Sequence, residues 1–142
     1  FLDLAQGAGE GMVWGTVYGV YADEQGAAFR EKYRAKYPGT MGMVYTGGGY
    51  DAVQMLAKAW TEVGDPSNFD AVGDAIRKME YRGINGFYKI DPDTNSGISY
   101  PNMTDDPEGG QAHLFFQVQD NEHRIIAPSP FAEVEFMAPP WW

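Results

Sequence analysis

The chain contains no cysteine in 142 residues. That excludes a disulfide framework, a thiolate zinc site and a cysteine nucleophile, though it does not fix the compartment. Basic residues are scarce as well: 10 Lys and Arg stand against 20 Asp and Glu, for a net charge of −10. A surface that must neutralise phosphates cannot be built from that balance, so nucleic acid is excluded as a partner and anionic membrane surfaces are disfavoured. No apolar run approaches the roughly 18 to 20 residues that a membrane span requires. Histidine occurs only at positions 113 and 123. No Ser, His and acid set stands at readable spacing, and no nucleophile has an evident base, so no enzyme, catalytic residue or cofactor is expected.

What is present is a domain-sized chain with 44% hydrophobic residues, enough for a core. It opens with "FLDLAQGAGEG", which reads as the end of a helix and its exit, and the expectation is that the true N-terminus lies upstream. "GMVWGTV", residues 11–17, fits a short buried strand. Asp23 then caps a helix in which Phe29, Tyr33 and Tyr37 recur every four residues, stopped by Pro38 and Gly39. A second helix places Val53, Leu56, Ala57 and Trp60 on one face and Asp51, Gln54, Lys58 and Glu62 on the other, ending at Gly64. Ser67 with Asp70 resembles a capping box ahead of a third helix carrying Phe69, Val72, Ile76 and Met79.

"IDPDTNSG", residues 90–97, spaces Asp91, Asp93 and Asn95 like the start of a calcium loop. Such a loop needs glycine at position 6 and a bidentate glutamate at position 12, whereas Ser96 and Asn102 stand there. The flanking pattern also alternates like a strand. The expectation is therefore a hairpin around an Asp-rich turn, with Gly97 supplying a positive φ, and no metal. A loop rich in Pro, Asp and Gly from Tyr100 to Gly110 follows, and its Asp105, Asp106 and Glu108 are most simply a solvated surface. "HLFFQVQ" and "HRIIA" then form a second hairpin turning at Asn121, with His123 opposite a residue near Gln119. The two histidines are thus not cross-strand partners. The tail "PSPFAEVEFMAPPWW" suggests an extended strap packed by its aromatics.

One strand, three helices and two late hairpins give little sheet for three amphipathic helices, so their apolar faces need sheet from elsewhere. Three ordered segments explain this order by resemblance. "GAGEGMVWGTVYG" with "AAFREKYRAKYPG", then "GGYDAVQMLAKAWTEVGDPSNFDAVGDAIRKMEYRGINGFYKIDPDTNSG", then "HLFFQVQDNEHRIIAPSPF" resemble the C-terminal portion of type I periplasmic solute-binding proteins. The nearest group resembles the branched-chain amino acid binding subunits of ABC transporters, and the match covers nearly the whole chain.

The resemblance implies an α/β fold of two Rossmann-like lobes joined by three hinge crossings that close on a ligand. Residues 1–17 would end the second lobe, residues 18–97 would supply first-lobe helices and a hairpin, and residues 98–142 would return through the hinge to second-lobe strands and a C-terminal strap. It also implies a periplasmic or membrane-tethered extracytoplasmic protein that captures an amino acid or small carboxylate for an ABC permease. A receptor of the same fold used in signalling or regulation is the alternative.

Most ligand contacts in that family precede the segment matched here. The resemblance carries over only Tyr50, where the family often has an aromatic facing the cleft, and Tyr18 with nearby Tyr21, at the strand entering the hinge. Gly47, Gly48 and Gly49 ahead of a helix could bind an anion. The acidic residue of a dinucleotide site is lacking at its spacing, however, so close backbone packing is the preferred reading. A chain holding parts of two lobes leaves an apolar face open, so the missing N-terminal portion or a swapped homo-oligomer is expected to cover it.

Overall fold

The computed structural model describes residues 1–139 and 141. Two units share one core. The first is an antiparallel sheet of β1 (Val13–Thr16), β6 (Leu114–Gln119) and β7 (Glu122–Ala127) in the order β1-β6-β7, preceded by the single turn α1 (Leu2–Ala5). The second holds α2 (Glu24–Lys36), α3 (Tyr45–Val63) and α4 (Phe69–Lys78) with the hairpin β2 (Tyr81–Gly83) and β3 (Gly86–Tyr88). A short parallel pair, β4 (Ser99–Tyr100) and β5 (Gln111–Ala112), brackets the Pro, Asp and Gly-rich loop.

The β6–β7 hairpin turns through Asp120 and Asn121, both at positive φ (55° and 58°), the two-residue geometry that matches strand twist. His123 pairs with Val118, one residue from the expected register. The 11–17 strand was expected to be buried, yet Met12, Val13 and Val17 are 44%, 45% and 58% exposed. The reason is its place: β1 is an edge of the sheet, and Phe115 beside it is also half exposed.

Helix α2 begins as its sequence dictates, with the Asp23 carboxylate accepting from the Gly26 amide at 2.9 Å, and it ends one residue short of Tyr37. Two other local expectations are corrected. Helix α4 is capped by Asn68, whose Oδ1 accepts from the Ala71 amide, while the Ser67 hydroxyl donates instead to Asp65. The segments flanking the Asp-rich turn pair antiparallel as expected, Ile90 with Gly97, and within it Asp91 Oδ1 accepts from the Asp93 amide; a tighter hairpin, β2–β3, precedes it and turns at Ile84 and Asn85. Asn95, not Gly97, takes the positive φ there (54°), since a short polar side chain tolerates that region.

The glycines 47–49 lie inside α3, and the buried face of that helix is Gly47, Asp51, Met55 and Ala59. Val53 and Trp60 are 64% and 42% exposed, the reverse of the expected facing. Hydrophobicity assigned the faces, but the hairpin β2–β3 packs on the side where the small residues permit close approach.

The segment between β1 and α2 links the two units. The Val20 amide donates to the Met43 carbonyl and the Tyr21 amide to that of Ile84. Val20, Tyr21, Met41, Met43, Ala112, Leu114, Phe116 and Ile125 form one buried cluster around it. The Val, Leu, Ile, Phe and Met side chains among them contribute roughly 1.5–3 kcal/mol each when fully buried. The C-terminal strap is held by Phe131, whose ring packs on Tyr21 at 4.5 Å, and by amides: Gln117 and Gln119 donate to the carbonyls of Met137 and Glu135 at 2.7 and 2.8 Å. Phe136 and Trp141 are about half or more exposed, and Trp142, part of the expected aromatic packing, lies outside the described residues.

Candidate functional site

The three tyrosines singled out in the sequence differ in burial: Tyr21 is buried, Tyr18 partly buried and Tyr50 exposed. Tyr21 is 2% exposed, and its hydroxyl accepts from the Ala112 amide at 2.8 Å. Its ring packs on Phe131 at 4.5 Å, with the Arg82 guanidinium 4.8 Å from the ring centre. Burial pushes its phenol above the ordinary range. Tyr21 is therefore a core post between the two units and offers no free face to a ligand, which corrects its expected role.

Tyr50 is 45% exposed on α3, with its ring 5.1 Å from that of Phe29. It borders a groove of about 380 Å³ between α2 and α3, shared with Phe29, Tyr33, Tyr37 and Lys32. Tyr18 lies beside the start of α3: a Cβ placed on Gly48 would sit 3.3 Å from its ring. The three glycines divide the work. At Gly47 a Cβ would collide with Asn85 Oδ1 and Val20, at Gly48 it would crowd Tyr18, and at Gly49 it would meet open space. Close backbone packing is thus realised at Gly47. One turn earlier, Tyr45 is 83% exposed on the first turn of a helix that has no side-chain cap.

The residue that organises this region was missed. Asp51, assigned to the solvent face, is fully buried. Its carboxylate accepts from the amides of Ile84 and Asn85 at 2.9 Å each and from the Tyr88 hydroxyl at 3.0 Å. Three donors satisfy a buried carboxylate without a cation. Tyr88 is pushed far above the usual tyrosine range, first by burial and then by the Asp51 charge, with Tyr18 and Tyr81 adding to it. Tyr81 is raised by burial, by Asp51 and by Tyr50. Asp51 thus acts on Tyr81 and Tyr88, both phenols held protonated and able to donate. The signal was present as the four-residue series Gly47, Asp51, Met55 and Ala59, in which Asp51 interrupts a small and apolar stripe.

A second, largely apolar cavity of about 430 Å³ lies between the sheet and the loop before α3, lined by Met12, Trp14, Met41, Met43 and His123. Trp14 Nε1 donates to His123 Nδ1 at 3.1 Å across its wall. Among the described residues no three His, Asp or Glu side chains gather as metal ligands, and no helix is long and apolar enough to cross a membrane.

Comparison with known proteins places this arrangement. Residues 2–105 match the model of a family described as periplasmic binding protein. No curated protein matches the chain. A crystal structure from Silicibacter pomeroyi, provisionally described as a branched-chain amino acid ABC transporter, superposes over 100% of this chain with a TM-score of 0.85 and 31% identity. A leucine-binding protein, LivK, from Thermotoga maritima covers 89% of the chain with a TM-score of 0.60 and 21% identity, a likeness of fold. The chain spans 38% and 33% of the lengths of those two proteins. It belongs to the periplasmic binding protein family, and its α/β arrangement is part of the type I fold of that family.

Proposed function

From that membership we propose that this chain is the C-terminal portion of an extracytoplasmic solute-binding subunit, one that captures an amino acid or similar small carboxylate and delivers it to an ABC permease. The observation that carries the reading is the superposition of the entire chain on a protein described as a branched-chain amino acid ABC transporter. Residues 1–17 and 98–142 belong to one lobe with its hinge return, and residues 18–97 to the other. The chain spans 38% and 33% of the two similar proteins, so it holds only part of each lobe, and the partner is the permease that receives the ligand.

Ligand contacts from this chain fall to Tyr18 and Tyr50. Both retain accessible ring surface, and tyrosine offers an apolar face to an aliphatic side chain and a hydroxyl to a carboxylate. The charged contacts to the ammonium and carboxylate come mostly from the remainder of the two lobes. Binding then works by closure, because a ligand that touches both lobes favours the closed state by its differential affinity.

Calorimetric titration of the two-lobed protein with branched-chain, aromatic and polar amino acids and small carboxylates tests this. Saturable binding of a member of the panel is expected. Binding of none would sink the amino-acid reading and shift weight to a receptor for another ligand class.

A further inference from the structure

The Arg30 side chain leaves α2 and engages two parts of the molecule at once. Its Nη2 donates to the Val20 carbonyl at 2.8 Å, within the segment that links the sheet to the helices. Its Nη1 lies 3.3 and 3.2 Å from the two carboxylate oxygens of Glu133. Glu133 is itself fastened to β7: Oε2 accepts from the Ile125 amide at 3.0 Å, and the Glu133 amide donates to the Ile125 carbonyl at 2.8 Å. Arg124 Nη1 stands 3.6 Å from the same carboxylate. The Arg30 and Glu133 side chains are only 10% and 12% exposed. The other ion pairs either sit at or above a third exposed or, like the one from Arg124, reach this same carboxylate.

A pair so placed is poorly screened by salt and is a weak source of net stability, because both charges lose their water. What it fixes is geometry. Arg30 belongs to the helical unit, Glu133 is bound to the sheet unit, and the Val20 carbonyl that Arg30 also holds lies where the chain passes between them. Arg82, by contrast, reaches Asp23 and the Gly83 carbonyl, all within the helical unit or at its entrance.

We propose that the Arg30–Glu133 pair is an ionic pin at the junction of the two units, and that it restricts their rotation and sets the balance between open and closed lobes. The use made of that balance rests on the solute-binding reading, whereas the restriction itself needs no ligand. Losing Glu133 leaves the buried Arg30 charge with only the Val20 carbonyl, so it will seek water by shifting the units apart. Losing Arg30 frees both Val20 and Glu133 from the helix, although Glu133 keeps Arg124 and the Ile125 amide.

The absence of cysteine from this chain allows spin labels at two exposed positions, Glu62→Cys on α3 and Glu135→Cys on the strap. Distances between them, measured by pulsed electron resonance in the ligand-free two-lobed protein, report the relative placement of the units. Glu133→Gln, which keeps shape and removes charge, is expected to broaden or displace the distribution, and Arg30→Met to do so further. Asp74→Asn, which breaks an exposed pair within α4, should leave it unchanged.

An unaltered distribution in Glu133→Gln, whatever its melting temperature, would reduce the pair to a structural contact and overturn the proposal. If Arg30→Met does not fold, Glu133→Gln and the milder Arg124→Ala decide the matter. A leucine titration on the same samples speaks separately to the ligand: loss of binding everywhere counts against the solute reading, while the distance distribution still judges the pin.

Discussion

The Asp51 carboxylate on α3 accepts a hydrogen bond from the Tyr88 hydroxyl on β3 at 3.0 Å, and with it the two amides of the Ile84–Asn85 turn. A helix is thereby bonded to a hairpin through a fully buried charge. Removing the acceptor strands two buried amides and a phenol, each a cost of about 1–3 kcal/mol. Asp51→Ala is expected to lower stability by about 3 kcal/mol or more, and Tyr88→Phe, which deletes a single donor, by about 1–2 kcal/mol. Urea denaturation of the two variants measures this. Equal losses would mean that the backbone amides find other partners.

The three consecutive glycines of α3 should respond with opposite signs. Gly49 faces open space within a helix, so Gly49→Ala is expected to stabilise by about 0.5–1 kcal/mol through the lower backbone entropy of the unfolded chain. At Gly47 the added methyl would collide with Asn85 and Val20, so Gly47→Ala should destabilise by about 1–3 kcal/mol. Thermal melts of the pair check it, and a gain at both positions would contradict the packing described.

These two cases show where the sequence was legible. Caps, stops and turns rest on neighbours a few residues away, so Asp23, Gly64 and the Asp120–Asn121 turn could be placed from local chemistry. The facing of α3 could not, because it depends on which partner packs on it. The hairpin takes the side of Gly47 and Asp51, and the bulkier stripe of Val53 and Trp60 is left open among the described residues. The exposed edge of β1 was hidden for the same reason, since a short apolar run reads as buried wherever its neighbours are. For the candidate site, the family resemblance pointed to Tyr18, Tyr21 and Tyr50. The role of Tyr21 as a core post, and the centre at Asp51, required three-dimensional contacts.

Truncating the two accessible tyrosines separates ligand contact from scaffold. Tyr18→Ala and Tyr50→Ala in the two-lobed protein are expected to weaken amino-acid binding by about tenfold each, the loss of roughly 1.4 kcal/mol of contact. Tyr50→Phe, which keeps the ring, should be close to neutral if the face is what matters. Calorimetry reads both effects, and unchanged affinity in Tyr18→Ala and Tyr50→Ala would remove these residues from the site.

The contact between Trp14 and His123 predicts a pH dependence with a definite sign. Trp14 Nε1 can only donate, so Nδ1 of His123 must be unprotonated to accept from it. Burial also holds the His123 pKa below its ordinary value of 6.5. The folded state therefore binds fewer protons than the unfolded one. The resulting stability is fully present above about pH 6.5 and is lost as the pH falls from there through the lowered folded-state pKa. Replacing the histidine by glutamine keeps an acceptor for the indole and removes the titration. Between pH 8 and pH 5 the melting temperature of the parent chain should fall further than that of His123→Gln, and Trp14 emission should change over the same range only in the parent. Parallel melting curves for the two would show that protons enter the structure at other groups and that the indole bond tolerates an imidazolium.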